Sequence, residues 1–136
     1  MVKLANGFNT VAMPTYLVNS SGSSSNPSTI AYNDTSTNLA GNATFTGTAR
    51  DTGIVSGVAS TFEYFNAFAY ADQAGTFSIE GSWDNATWTK LATGAITAST
   101  PLTLQIPVMF RYHRVKLVNG AAAQGTVQIS SAYTAA

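Results

Sequence analysis

Residues 62–82 read FEYFNAFAYADQAGTFSIEGS, and this stretch decides the fold. In its first half, aromatic side chains at even positions alternate with alanines at odd positions, which is the period of a β-strand. Asp72 and Gly75 then suit a type I turn that re-enters a strand through a bulge. We predict two strands joined as a hairpin, apolar enough to require a second sheet packed against it.

Short apolar segments separated by turn residues continue through the rest of the chain. Residues 102–108 show the clearest alternation, with leucine, isoleucine or valine at every second position. No segment has a helical pattern of convincing length. Turn signals at intervals of about 8–12 residues predict an antiparallel sandwich or barrel. The predicted strands cover residues 54–59, 62–71, 76–82, 87–92, 102–108, 110–118 and 126–133.

The segment 110–118 allows two interpretations. Phe110 and Tyr112 share one parity, whereas the valine and leucine that follow share the other. One extra residue near His113, a β-bulge, would bring all four apolar side chains to the same face. Alternatively, Phe110 and Tyr112 face outward into a subunit contact.

The first fifty residues differ in composition from those that follow. A Ser-rich segment, residues 20–28, has the composition of a flexible linker or a long loop. Strand-like pieces lie around it at residues 8–18, 29–32 and 43–49. We predict an N-terminal arm over residues 1–50, which packs on the domain or on a neighbouring subunit, and a β-sandwich domain over residues 51–136.

The composition excludes several classes of site and partner. The 136 residues include no cysteine, so a disulfide framework, a thiolate metal site and a cysteine nucleophile are impossible. Only 9% of residues are charged and the net charge is zero, which favours association and argues against nucleic acid as a partner. The apolar runs are too short to span a membrane, and the N-terminus lacks the apolar segment of a secretory signal. We expect no nucleic acid and no membrane among the partners.

The residue types that catalysis or metal binding would need are sparse. His113 is the sole histidine, and no nucleophile elbow accompanies the serines. The carboxylates are scattered, with no pair placed for glycosidic chemistry, and neither a calcium loop nor a phosphate-binding loop is present. We predict that the chain is not an enzyme and has no catalytic, metal or cofactor site.

Two segments resemble a known family. Residues 71–88, ADQAGTFSIEGSWDNATW, and residues 110–120, FRYHRVKLVNG, followed by Gln124, are similar to a β-sandwich module of tailed-phage virion proteins. Such modules occur in head decoration proteins and also in tail and baseplate proteins. The short chain and its arm-like N-terminal segment favour a small capsid decoration (cement) protein. The resemblance implies a jelly roll that forms a homotrimer on the capsid surface and contacts the major capsid protein.

One candidate binding group surrounds a predicted turn. Trp83 and Trp88 flank Asp84 and Asn85, so two indole rings could stack on a sugar while the polar groups bind its hydroxyls. In the alternative interpretation, Trp88 covers the core or a sheet, and the two polar residues are simply the turn.

A second candidate group contains the main basic cluster. The interface candidates are Phe110, Arg111, Tyr112, His113 and Arg114. With Lys116, the cations of this group could hold an acidic patch on a capsid or a neighbouring subunit. Alternatively, they form a solvated strand face whose aliphatic stems cover apolar surface.

Together these features predict an all-β chain, an antiparallel β-sandwich of the jelly-roll type with an extended N-terminal arm. The function that the resemblance implies is structural: a virion protein of the capsid surface, a decoration or cement protein of a bacteriophage that oligomerises there and stabilises the shell. The alternative is a tail or baseplate module that recognises a host glycan or receptor.

Overall fold

The computed structural model describes residues 29–53 and 62–135, and these form β-strands without helices. The strands are β1 (Thr29–Thr35), β2 (Thr44–Thr46), β3 (Arg50–Asp51), β4 (Tyr64–Ala71), β5 (Gly75–Ser82), β6 (Thr89–Ile96), β7 (Leu102–Pro107), β8 (Tyr112–Asn119) and β9 (Val127–Thr134). Within these two ranges, no helix is long and apolar enough to cross a membrane. The strands predicted over residues 8–18 and 54–59 lie outside the described residues.

The strands form two antiparallel sheets. Sheet one has the order β1-β9-β4-β7, and sheet two has the order β2-β8-β5-β6, with the short β3 paired to the other end of β8. This order, in which the chain moves back and forth between a four-stranded and a five-stranded layer, is that of a jelly roll. The prediction of an all-β, antiparallel sandwich of the jelly-roll type is confirmed.

Residues 72–74 carry the chain from one sheet to the other. Strand β4 pairs with β9 and β7 in sheet one, whereas β5 pairs with β8 and β6 in sheet two. The predicted hairpin is therefore wrong, although both of its strands are present. Gly75 does not adopt the left-handed conformation that a hairpin bulge would require. Asp and Gly suit a corner between sheets as well as a hairpin, and the pairing is decided by strands distant in sequence.

Strand β4 presents small residues to the core. Its buried positions are Phe65 and three alanines, whereas Tyr64, Phe68 and Tyr70 are half-exposed on the outer face of sheet one. Sheet two supplies larger side chains to the same core, namely Phe77, Ile79, Ile96, Val115 and Leu117. Alanines on one sheet therefore make room for bulky residues on the other.

Strand β8 pairs with β5 in an uninterrupted register over its whole length, so of the two interpretations of this segment the bulge near His113 is wrong. His113, Val115 and Leu117 are buried, which leaves Tyr112 on the outer face of sheet two. A bulge does occur in this sheet, but it lies in the pairing of β5 with β6 between Ile79 and Glu80.

The described part of the first fifty residues supplies edge strands to both sheets. Strand β1 pairs with β9 at the edge of sheet one, and β2 and β3 pair with β8 at the edge of sheet two. An ion pair between Asp34 and Arg50 connects these two edges. The division of the chain into an arm and a domain at residue 50 stays a prediction.

Candidate functional site

The two cations of β8, Arg114 and Lys116, share one carboxylate on β5, which compensates one of their two charges. Arg114 Nε donates to Oε1 of Glu80, 2.8 Å away, and Lys116 Nζ lies 3.7 Å from Oε2 of the same side chain. The guanidinium of Arg114 also lies 4.0 Å from the ring centroid of Trp88, within reach of a cation–π contact. These four residues form a self-contained group on the outer face of sheet two. Its cations therefore attract an acidic partner less than their number suggests.

Arg111 forms a two-bond contact with Asp51 at the surface. Its Nε lies 3.0 Å from Oδ1 and its Nη2 lies 3.1 Å from Oδ2, and the guanidinium is 5.1 Å from the ring centroid of Tyr112. The hydrogen bond from Arg111 lowers the pKa of Asp51. Among the interface candidates, Arg111 and Tyr112 therefore lie together on the surface.

His113 lies in the core and is separated from the other interface candidates. Its side chain is fully buried, its ring stacks on Phe65 with a centroid distance of 5.1 Å, and its Nδ1 lies 2.9 Å from the hydroxyl oxygen of Tyr133. That hydroxyl donates in turn to the carbonyl oxygen of Arg50, 3.1 Å away. Because it does not reach the surface, His113 cannot contact a partner subunit from this position.

The hydrogen bonds of Tyr133 determine the protonation of His113. A carbonyl oxygen only accepts, so the hydroxyl proton is directed to Arg50 and the hydroxyl oxygen accepts from Nδ1–H of His113. Nε2 then stays unprotonated, and it has no hydrogen-bond partner among the described residues. Burial lowers the pKa of His113 to about 4 and raises that of Tyr133 above its ordinary value. Both groups are therefore neutral at pH 7.

Asp34 and Arg50 form a partly buried ion pair beside this network. The Arg50 Nη2 donates to Oδ1 of Asp34 at 2.8 Å, with the two side chains 17% and 1% exposed respectively. The guanidinium stacks over Tyr32 at 4.1 Å from the ring centroid. Oδ2 of Asp34 and Nε of Arg50 have no hydrogen-bond partner in the described part of the chain. The sequence did not single out this pair, because its members lie on different sheets and follow no motif.

The loop after β5 uses its polar residues to hold its own shape. Oδ1 of Asp84 accepts from the backbone N–H of Thr87 at 2.7 Å, from that of Ala86 at 2.9 Å and from the Ser82 hydroxyl at 2.9 Å. These bonds, led by that from Thr87, lower the pKa of Asp84 to about 2. Asn85 adopts a left-handed conformation with φ 59°. This geometry fits the turn interpretation, and glycan contact at this loop stays a prediction.

We use the name tip patch for three apolar residues: Trp83, Phe110 and Met109, which precedes Phe110 in the chain. The rings of Trp83 and Phe110 contact each other at a centroid distance of 5.7 Å. Trp83 is 56% exposed and Met109 is 57% exposed, while Phe110 is half-buried. Phe110 lies over Gly81, where an added Cβ would be 3.0 Å from its ring. The patch therefore joins the edge of the core to exposed apolar surface, and Arg111 follows it in the chain.

Several residues of the sequence resemblance hold loops together at one end of the sandwich. The Gln124 side chain donates to the carbonyl oxygen of Gln73 at 3.0 Å and to Oδ1 of Asn119 at 2.6 Å, and it accepts from the Gln73 N–H at 2.9 Å. Asn119 donates onward to the carbonyl oxygen of Ala40 at 2.8 Å. Asp72 accepts two backbone N–H groups of the loop that follows Gln124. These residues therefore support the fold.

Metal-binding side chains are not gathered anywhere in the residues that the structure describes. Across ranges 29–53 and 62–135, no group of three or more His, Asp or Glu residues could hold a metal ion.

Solved structures with similar folds come from proteins of several kinds. The exported protein XepA of PBSX is 25% identical, with a TM-score of 0.69; the match covers 79% of this chain, which spans only 37% of XepA. A Bacillus endospore appendage protein has 14% identity and a TM-score of 0.44, covering 88% of this chain and 100% of its own. The Tobacco streak virus coat protein has 11% identity and a TM-score of 0.43, covering 83% and 90%. The last two likenesses are too weak to bear on function.

The family relationship rests on sequence. No curated protein matches the chain. Residues 20–134, however, match the family described as the uncharacterised protein YqxG N-terminal domain. This range includes every strand that the structure describes. The chain therefore belongs to the YqxG N-terminal domain family.

Proposed function

We propose that the chain is a structural protein of a virion or another extracellular assembly, and that it acts as a capsid decoration protein. In this role it forms a homotrimer on the capsid surface, contacts the major capsid protein and stabilises the shell. The jelly-roll fold, the sequence resemblance to virion modules and the likeness to the exported protein XepA are consistent with this role.

The single observation that carries the proposal is the tip patch. Clustered apolar side chains on the surface of a soluble domain mark interaction sites. Trp, Phe, Met and Arg are enriched at protein interfaces, and a few such side chains supply most of the binding energy. Trp83 and Met109 are each more than half exposed, and Arg111 follows Phe110 in the chain. The patch thus has the composition of an interface centre that is open in the single chain.

The mechanism is thermodynamic. A trimer that contacts several neighbouring capsomers simultaneously can bind only where the assembled shell holds those capsomers side by side. Binding to the assembled shell, and not to its separate parts, stabilises that shell by mass action. The low charge of the chain is consistent with this mechanism, because contact area and apolar anchors contribute the affinity.

The proposal is tested by measuring solution mass with light scattering at micromolar concentration. We expect a trimer for the wild type and a monomer for the double variant Trp83→Ser, Met109→Ser. Val118→Thr is the matched control, because Val118 is 43% exposed but lies at the other end of β8. A wild type that is strictly monomeric, or a double variant that stays trimeric, contradicts assembly through the tip patch.

The position in the particle is tested separately. A decoration protein covers the shell, so quantitative mass spectrometry of purified virions should find many copies per particle. A few copies per particle would instead support the tail or baseplate alternative.

A further inference from the structure

The outer face of sheet one contains a groove with a volume of about 500 Å³, which is within the size range of small-molecule sites. Residues directly opposite each other on antiparallel strands share a face, so the pairing of β9, β4 and β7 places two rows of side chains in it. The first row is Ala132, Asn66 and Gln105, and the second row is Ser130, Phe68 and Thr103.

An amide chain crosses the first row. Gln105 Nε2 donates to Oδ1 of Asn66 at 2.6 Å, and Asn66 Nδ2 donates to Oγ1 of Thr134 at 3.0 Å. These bonds hold both amide side chains in place and leave Oε1 of Gln105 available as an acceptor. The hydroxyls of Ser130 and Thr103 likewise have no partner in the described ranges. The groove therefore contains hydrogen-bonding groups that have no partner within the described part of the protein and are available to a ligand.

Phe68 occupies the middle of the second row. It is half-exposed, because the buried face of β4 carries the alanines and the outer face carries the aromatic rings. Its cross-strand neighbours are the short side chains of Ser130 and Thr103. A ring flanked by short polar residues on an open face gives a flat ligand an apolar surface to lie on.

The groove is lined by uncharged residues, and this limits the class of ligand that it can bind. None of the residues that line it is Asp, Glu, Lys, Arg or His. An ionic ligand would find no counter-charge, and a purely apolar ligand would bury the amides and hydroxyls without satisfying them. A neutral ring bearing hydroxyls meets both conditions, because its C–H face can pack on Phe68 while its hydroxyls bond to the polar groups.

We propose that this groove binds a neutral oligosaccharide, with a sugar ring packed on Phe68 and its hydroxyls bonded to Gln105, Ser130 and Thr103. This site lies on sheet one and is distinct from the tip patch and from the Trp83–Trp88 loop. It does not depend on the decoration role, since a protein on a particle surface and a free exported protein could both use it.

The site is tested on the full chain by calorimetric titration with soluble cello-, chito- and malto-oligosaccharides, with an oligogalacturonate as the charged counterpart. We expect at least one neutral series to bind at millimolar concentration or below, and the oligogalacturonate to bind more weakly. In ¹⁵N spectra, binding should shift the side-chain amide signals of Asn66 and Gln105.

Variants then locate the site. Phe68→Ala should weaken binding by about tenfold or more, as expected for loss of a central aromatic anchor. The double variant Thr103→Val, Ser130→Ala removes only two hydroxyl groups and should also weaken binding. Because it is more conservative, it tests the site even if Phe68→Ala fails to fold. Met109→Ser, which lies in the tip patch and outside both groups of candidate sugar contacts, should change oligomeric state without changing sugar affinity, so failure of the two proposals can be told apart. Absence of binding by every neutral series, or binding that survives both groove variants, overturns the inference.

Discussion

The hydroxyl of Tyr133 donates a hydrogen bond to the carbonyl oxygen of Arg50, 3.1 Å away, and so joins β9 of sheet one to β3 of sheet two. Strand β3 has only two residues and little pairing of its own. The side chain of Arg50 meanwhile pairs with Asp34 on β1. Two polar connections between the sheets therefore meet at one residue, Arg50.

Removal of the Tyr133 hydroxyl should destabilise the fold. Tyr133→Phe keeps the ring but leaves the Nδ1–H of buried His113 without an acceptor, so the free energy of unfolding should fall by about 1–3 kcal/mol. Chemical denaturation measures this change. Tyr70→Phe is the matched control, because Tyr70 lies half-exposed on the outer face of β4 and should change stability little. Equal effects of the two substitutions would refute a structural role for the hydroxyl.

Stability should decrease between pH 6.5 and pH 4 because of His113. The folded-state pKa is about 4, below the ordinary value of 6.5, so in this window the unfolded chain takes up a proton that the folded chain does not. The stabilisation is complete above pH 6.5, and at 1.36 kcal/mol per pKa unit roughly 3 kcal/mol is lost by pH 4. His113→Gln should abolish this part of the slope in denaturation measured across pH. The stabilisation from Asp84, whose pKa is lowered to about 2, is complete above its ordinary value of 3.8 and is lost only below it, outside this window. An unchanged slope in the variant would contradict the assignment.

Neutralising the partly buried ion pair should cost more than neutralising the exposed one. Asp34→Asn leaves the Arg50 charge partly buried without a counter-charge, and such single losses cost about 3–5 kcal/mol. Asp51→Asn is the control, since it breaks the exposed pair with Arg111, for which less than about 1 kcal/mol is expected. Thermal unfolding of both variants makes the comparison. A larger loss from the Asp51 substitution would contradict a stabilising role for the Asp34–Arg50 ion pair between the two sheet edges.

Loss of the Gln124 amide should loosen the loops at one end of the sandwich. Gln124→Ala removes two donated bonds and one accepted bond from a buried site, and about 2 kcal/mol of stability should be lost. Gln128→Ala on the exposed side of β9 serves as the control. Hydrogen exchange should show faster exchange at the Gln73 N–H in the first variant alone. Unchanged exchange there would show that the amide does not hold this loop.

Local patterns in the sequence were enough to predict most of the strands but not their partners. Alternation located β4, β5 and β7 to within two residues of their observed bounds. Whether β4 and β5 form a hairpin depends on β9 and β8, which lie far along the chain, and Asp72 gives the same local signal in either case. The sequence also did not show which face of β4 is buried. Large aromatic residues usually face a core, but on this strand the alanines do so and most of the aromatic rings face outward.

The interface candidates divide into surface residues and a buried one, and the sequence could not indicate which was which. Arg111 and His113 are two positions apart in one basic segment, yet one lies at the surface and the other is fully buried. The sequence does not indicate the groove around Phe68, because its lining residues come from separate strands and belong to no motif. The resemblance to virion modules rested in part on Asp72, Asn119 and Gln124. These residues hold loops together, so they report the fold and not a binding site.

The position of β9 has a consequence for biosynthesis. This strand inserts between β1 and β4, so both neighbours carry unpaired backbone groups until residues 127–134 have emerged from the ribosome. Such open edges are templates for association between nascent chains. A premature stop before residue 127 would therefore divide sheet one into two separate parts instead of shortening it at one side. Sheet one can be completed only after translation has passed Thr134.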